Sequence, residues 1–418
     1  MYIYRNIFTV GLVVLNFYGC SDYTSLSSSN EENASTFEVA KVLASDAESN
    51  DYFARTLSVN GDYIAVGAYE EDGNGFNQGS VYLFKRNSDT NVSETAKIQA
   101  SDAEDTDEFG SSLSINGDYI AVGARQEDSG APNAGSVYIF KRNSDTNVTQ
   151  IAKILANDPE TNDYFGNSVS INGDYIAVGA DRESTTASNA GSVYIFKRNS
   201  DANISQIAKI QANDAEFDDF FGLSVSMSGD YIAVGAYQED TNFSNAGSVY
   251  IFKRNSDTNV SQIAKIQADD AEADGYFGFS VSMSGDYIAV GAFQQDTNAS
   301  NSGAAYIFKR NSDTNVSQIA KIQADDAEAG DYFGYSVSMS GDYISVGAHG
   351  KNSFSGSVYI FKRNSDTNVS QIAKLQGGTY EQFGYSVSID RNYTATGAPD
   401  EATAAASAGA AYIYKIEP

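Results

Sequence analysis

Residues 165–180 read FGNSVSINGDYIAVGA, and residues 221–236 read FGLSVSMSGDYIAVGA. The same Phe-Gly pair stands at Phe109, Phe165, Phe221, Phe277, Phe333 and Phe383, and Phe53-Ala54 is a degenerate first copy. Successive copies are 56 residues apart five times and 50 apart at the last step. A Gly-Ala pair begins fourteen residues after each Phe, at Gly67, Gly123, Gly179, Gly235, Gly291, Gly347 and Gly397. A segment like GSVYIFKR then follows, in seven copies. Self-similarity at a fixed period is the signature of a repeat architecture, and it outranks any local reading.

Each repeat divides into four short strands, predicted at 165–170, 175–180, 192–197 and 206–212 in the third copy. Asn172-Gly173 between the first two is a strong hairpin signal, because a two-residue turn there needs positive φ. The polar stretch RNSDTNVS is predicted as the turn between the third and fourth. The middle two strands are apolar on both faces, which fits sheets stacked between neighbouring sheets. The first alternates Ser with Val, Ile or Met, and small residues suit a crowded inner strand near an axis. The fourth carries Lys97, Lys153, Lys209, Lys265, Lys321 or Lys374, and an edge lysine discourages sheet-to-sheet association.

The phase of the repeat is more telling than its period. The repetitive region opens with a fourth-strand sequence, Val39 to Ala44, and ends with a third strand, Ala410 to Lys415. Pairing these two completes a ring. An open solenoid has no use for such an offset and needs atypical caps. The expectation is an all-β, seven-bladed β-propeller of four-stranded antiparallel blades, closed by pairing the N-terminal strand with the last blade.

Phe-Gly followed by Gly-Ala, ending as Gly397-Ala398-Pro399, resembles the FG-GAP repeat, which also builds the N-terminal propeller of integrin α subunits. The resemblance covers about residues 37–416 and implies the propeller fold. It says little about function, since propellers host many activities. Integrin-like repeats often hold Ca²⁺ in an Asp-rich loop between the first and second strands. That connection is only Asn-Gly-Asp or Ser-Gly-Asp in this chain, as at Asn116-Gly117-Asp118, too short to wrap the ion. The family's calcium site is therefore not carried over.

The 418 residues carry a formal charge of −29. Such a surface repels phosphate backbones, so nucleic acid is not expected as a partner. Cys20 is the only cysteine, which rules out an internal disulfide and a Cys-based metal site. Residues 1–20 read as an export signal of lipoprotein type, with Arg5 ahead of an apolar run and Gly19 before Cys20. Lipidation of Cys20 is the favoured reading, although Phe17 and Tyr18 fit that signal poorly, and plain cleavage is the alternative. Residues 21–36 are polar and suit a flexible tether. The domain plan is thus signal 1–20, tether 21–36 and propeller 37–418. It places a monomer at a bacterial outer membrane or cell surface, or outside the cell, with only a lipid touching the membrane.

The fourth-to-first and second-to-third connections share one ring face, and most variation between repeats falls there. Variable loops on a rigid frame are where binding is usually placed. The first of these connections carries Asp46, Glu48 and Asp51; Asp102, Glu104 and Asp107; Asp326, Glu328 and Asp331. Asp158, Glu160 and Asp163 match with Pro159 between them. Such acids are candidates for a cation, Ca²⁺ above all. The competing reading, which we favour, has them forming turns and capping backbone N–H groups. His349 is the lone histidine and is read as a solvated loop residue, so no Ser-His-Asp or Cys-His set is expected. The leading expectation is a non-enzymatic binding or adhesion module that meets a protein or glycan ligand at the cell surface through an acidic face. A Ca²⁺-dependent structural or matrix protein and a polysaccharide-active enzyme are the alternatives.

Overall fold

In the third blade the strands Ser168–Asn172, Tyr175–Ala180, Ser192–Ser200 and Asn203–Ile210 pair in that order, each antiparallel to the next. The computed structural model describes residues 35–73 and 75–417. Seven such four-stranded sheets form a β-propeller. The signal, Cys20 and nearly all of the tether lie outside the described residues.

Two turns differ from expectation. Asn172 pairs with Tyr175, so Gly173 and Asp174 are the central turn residues. Gly173 has φ of 61° and Asp174 does not share it. Positive φ at the first central residue alone is the type II′ pattern, where Gly belongs first. The stretch RNSDTNVS, which reads RNSDANIS in this blade, is mostly ladder, because Ser200 pairs with Asn203 and leaves only Asp201 and Ala202 to turn. Its polarity reflects exposure of the hairpin tip: Ser192–Ser200 is buried over its first five residues and exposed at its end.

The core lies between blades. Ala121, Val137 and Ile139 of the second blade pack with Phe165, Ile176, Val178, Tyr194 and Phe196 of the third. This is why the middle strands are apolar on both faces. The Phe165 ring meets Tyr194 and Phe196 edge-on at 5.4 and 5.9 Å. The two glycines of the repeat motif explain one another. A Cβ on Gly123 of one blade would stand 2.1 Å from the carbonyl oxygen of Gly166 in the next. That carbonyl also accepts the Ser112 hydroxyl at 2.7 Å. Phe-Gly and Gly-Ala of adjacent blades therefore touch backbone to backbone.

Ser35–Val42 closes the ring against Ala410–Glu417, pairing from Ser35 opposite Glu417 to Val42 opposite Ala411 with a register shift between Glu38 and Ala40. The sheet order confirms a last blade completed by the first strand. Val39 and Val42 share a core with Ile413 of the last blade and with Ile64 and Phe84 of the first.

The face opposite the variable loops carries a repeated latch. Tyr119 donates its hydroxyl to Asp201 at 2.8 Å, and Lys141 reaches the same carboxylate at 2.6 Å. Arg198 lies 3.7 Å over the Tyr119 ring. Asp201 and Arg198 belong to one blade and Tyr119 and Lys141 to its neighbour. These hydrogen bonds, from Lys141 first, hold the Asp201 carboxyl below its usual range.

Candidate functional site

Within the well-matched part of each repeat, three positions diverge most: the residue before each Phe, the residue after each Phe-Gly, and the residue after each Gly-Ala. After Phe-Gly (Phe-Ala in the first copy) the chain reads Arg55, Ser111, Asn167, Leu223, Phe279, Tyr335 and Tyr385. After Gly-Ala it reads Tyr69, Arg125, Asp181, Tyr237, Phe293, His349 and Pro399. The structure gathers them around the axial opening on the variable-loop face. The axial cavity is about 260 Å³, and Arg55, Asn167, Leu223, Phe279, Tyr335 and Tyr385 contribute to its lining. A second cavity of about 220 Å³ adjoins it between the last and first blades and shares Arg55 and Tyr385.

The backbone at this rim is strained. The residue before each Phe has φ between 48° and 56° in all seven blades. Bulky side chains rarely tolerate this region, where Gly sits freely. Five of the seven are nonetheless aromatic: Tyr52, Tyr164, Phe220, Tyr276 and Tyr332. Strain of this kind gathers at functional sites.

These rim residues pack on the residue after Gly-Ala in the same blade. Tyr276 stacks on Phe293 at 5.6 Å and 15°, and Tyr332 stacks on His349 at 5.4 Å and 17°. The residue after Phe-Gly then bridges to the preceding blade. Phe279 reaches Tyr237 at 5.6 Å, Tyr335 reaches Phe293 at 5.5 Å, and Tyr385 reaches His349 at 5.6 Å. The Tyr335 hydroxyl bonds that of Tyr385 at 2.9 Å. An aromatic arc thus spans the fourth to seventh blades.

The other half of the mouth is charged. Arg55 donates to the Tyr69 hydroxyl and lies 5.0 Å over the Tyr385 ring. Arg125 pairs with Glu108 at 2.6 Å and donates to Asn167 at 3.3 Å. Asn167 donates in turn to Asp181 at 3.0 Å. Burial pushes the Asp181 carboxyl up to about 6. Apolar stacking beside a few fixed polar groups is the usual make-up of a small-molecule site.

His349 is not the solvated loop residue expected from the sequence. It is 8% exposed, and its Nδ1 has no hydrogen-bond partner. Tyr335 approaches its ring to 4.2 Å. Burial, and then the charge of Arg55, lower its pKa to about 4, so the imidazole is neutral at pH 7. The short loop after it closes with Asn352, Ser353 and Phe354, all at left-handed φ of 52° to 65°.

The acidic candidates are engaged elsewhere. Asp46 accepts from Tyr82 at 2.6 Å and from Lys97 at 2.7 Å, while Asp51 accepts the Glu48 N–H at 2.6 Å. Asp102 meets Lys153 at 2.7 Å, and Asp107 accepts the Glu104 N–H at 2.8 Å. Asp158 and Asp163 repeat the arrangement with Lys209 and the Glu160 N–H. Burial, and behind it the nearby Glu127, push Asp107 up to about 6. Glu48 and Glu104 are exposed. Asp326, Glu328 and Asp331 do converge on a cation, the Lys351 ammonium, at 3.8, 3.1 and 3.0 Å. Among the described residues no cluster of three or more His, Cys, Asp or Glu is arranged to hold a metal ion. The fourth-strand lysines therefore neutralise loop acids as well as guard an edge.

Seven segments match the FG-GAP repeat, at residues 36–84, 92–140, 148–196, 204–252, 260–308, 316–361 and 367–414. No curated protein matches the chain. Among solved structures, the periplasmic gluconolactonase of Pseudomonas aeruginosa is similar at 13% identity and a TM-score of 0.51, over 77% of this chain and 85% of that one. This likeness corrects the expectation that the chain is no enzyme. A protein of similar fold bears an enzyme's name, so the fold gives no ground for excluding turnover. The buried His349 removes the other ground, a lone solvated imidazole. At that identity the likeness speaks for the shared fold alone. Seven matched segments covering most of the sequence place this chain in the FG-GAP repeat family.

Proposed function

We propose that this propeller is an envelope protein that binds a sugar-class ring, such as the end of a glycan, over its axial mouth. The observation that carries the reading is a coincidence of place: divergence between repeats, backbone strain and aromatic stacking all concentrate on one rim. The arc from Tyr237 to Tyr385 offers faces for the C–H surface of a sugar ring. Arg55, Arg125 and Asn167 offer donors and acceptors for its hydroxyls. Titration calorimetry against a panel of oligosaccharides tests it. Tyr335→Ala is expected to weaken sugar binding about two- to tenfold, since a stacked ring contributes roughly 0.5–1.5 kcal/mol. Phe217→Ala, at a side chain 68% exposed in a fourth-to-first connection, is expected to leave affinity unchanged. Equal losses from both variants, or no sugar bound at all, count against the mouth.

A second reading places hydrolysis of a cyclic ester at the same mouth. It is favoured by His349, whose neutral imidazole has an unpartnered Nδ1 near Arg55. Consumption of a lactone that stops with His349→Gln, while binding persists, selects this reading over simple binding.

Export would come from residues 1–20, with Cys20 as the lipid site and 21–36 as tether. Cys20→Ser is expected to move the protein from the membrane fraction to the soluble one. An unchanged partition removes the lipid anchor from the proposal.

A further inference from the structure

At six of the seven junctions between blades, a tyrosine hydroxyl and a lysine ammonium of one blade hold a single carboxylate of the next. Tyr175 and Lys197 hold Asp257 at 2.8 and 2.5 Å. Tyr287 and Lys309 hold Asp366 at 2.8 and 2.5 Å. Across the seam Tyr393 and Lys415 hold Asp89 at 2.5 and 2.8 Å. The acid always comes from the turn between a third and a fourth strand.

The last blade has no such turn, because its fourth strand is Ser35–Val42. Tyr343 and Lys362 face that blade, and among the described residues no carboxylate reaches either of them. Their posture is unchanged: the Lys362 ammonium lies 5.7 Å from the Tyr343 ring centre, as Lys197 does from Tyr175. A second departure falls at the same spot. Six blades place Gly first in the turn between the first two strands, with φ of 59° to 61°, and the last blade places Arg391 there at φ 56°. Arginine at that φ is strained where glycine would not be. Arg391, Tyr343 and Lys362 line one cavity of about 430 Å³, together with Asp342 and Asn392. Asp342 is already bound by Arg363. Among the described residues Arg391 and Lys362 make no ion pair, on a protein of net charge −29.

We infer that Tyr343, Lys362 and Arg391 form a docking site for an aspartate or glutamate side chain on an acidic turn of a partner protein. The occupant's chemistry is given by the six sister junctions, where the same hydroxyl and ammonium grip a turn aspartate. Arg391 adds a third donor, suited to a carboxylate that comes from outside the chain.

The probe is a cyclised peptide carrying the protein's own turn, RNSDTNVS as at residues 254–261, titrated into the full chain. It is expected to bind one to one. Its Asp→Asn version should bind about tenfold more weakly or worse, because the charge-assisted bonds are lost. Lys362→Gln and Tyr343→Phe should each abolish binding. Arg391→Gly should weaken binding severalfold while the melting temperature holds or rises, since the φ strain is relieved. That variant keeps the test meaningful should another fail to fold. The titration is repeated with Glu31→Gln and Glu32→Gln, because those acids precede Ser35 in the sequence. Binding that appears only then assigns the acid to this chain and overturns the partner. A peptide that binds neither form, or binds equally with Asn, overturns the site.

Discussion

Replacing Phe277 with alanine is expected to lower the stability of the propeller by about 3–5 kcal/mol. The ring is 1% exposed and meets Tyr306 and Phe308 edge-on at 5.6 and 5.7 Å. It also packs against Val249 and Ile251 of the preceding blade. Truncation removes apolar burial on both sides and leaves a void between two hydrogen-bonded sheets, which have little freedom to collapse. Denaturant unfolding measures the loss. Phe217→Ala is the comparison, with an effect within about 0.5 kcal/mol for an exposed residue. A midpoint unmoved by Phe277→Ala contradicts the packing described.

Lys351→Met is expected to cost about 3 kcal/mol, the lower end of the range for breaking a buried ion pair. The Lys351 and Asp331 side chains are only 2% and 3% exposed. The figure stays low because Asp326 and Glu328 retain contact with water. Burial already raises the Asp331 carboxyl above its ordinary value of 3.8, while Lys351 holds it down. Without the ammonium it rises further. A carboxyl raised on folding contributes stability that is full below its unfolded value and is lost as pH climbs through its folded value. The deficit of the variant is therefore largest at neutral pH and shrinks toward pH 4. Melting curves at the two pH values decide it, and a gap that does not change with pH removes Asp331 as the cause.

Much of the architecture was legible because seven copies repeat one signal. The 56-residue period gave the blades, and the offset between Val39–Ala44 and Ala410–Lys415 gave the closure. Details resting on one residue of register were not. Whether Asn172-Gly173 or Gly173-Asp174 occupies the turn is settled only by the pairing of Asn172 with Tyr175, and the turn type then follows from the φ values of those two residues. The site was harder to read because its neighbours are distant in the chain. His349 is buried by Tyr332 and Tyr335 of its own blade and by Tyr385 of the next. Asp46 is bound by Lys97 from a strand 51 residues on. A signal for the mouth did exist. Positions that differ among near-identical copies mark where the copies have separate tasks, and the residue after Phe-Gly runs from arginine to leucine to tyrosine.

The pairing of Ser35–Val42 with Ala410–Glu417 also governs the order of assembly. Ser35–Val42 is synthesised long before its partner Ala410–Glu417, so six blades can form while the seventh stays incomplete. Closing so long a loop adds only slowly to the entropic cost, as the logarithm of its length. The wait itself leaves two unpaired β edges open to other chains. A nascent or truncated chain lacking Ala410–Glu417 should thus associate edge to edge, where the finished ring offers only outer edges that carry lysine.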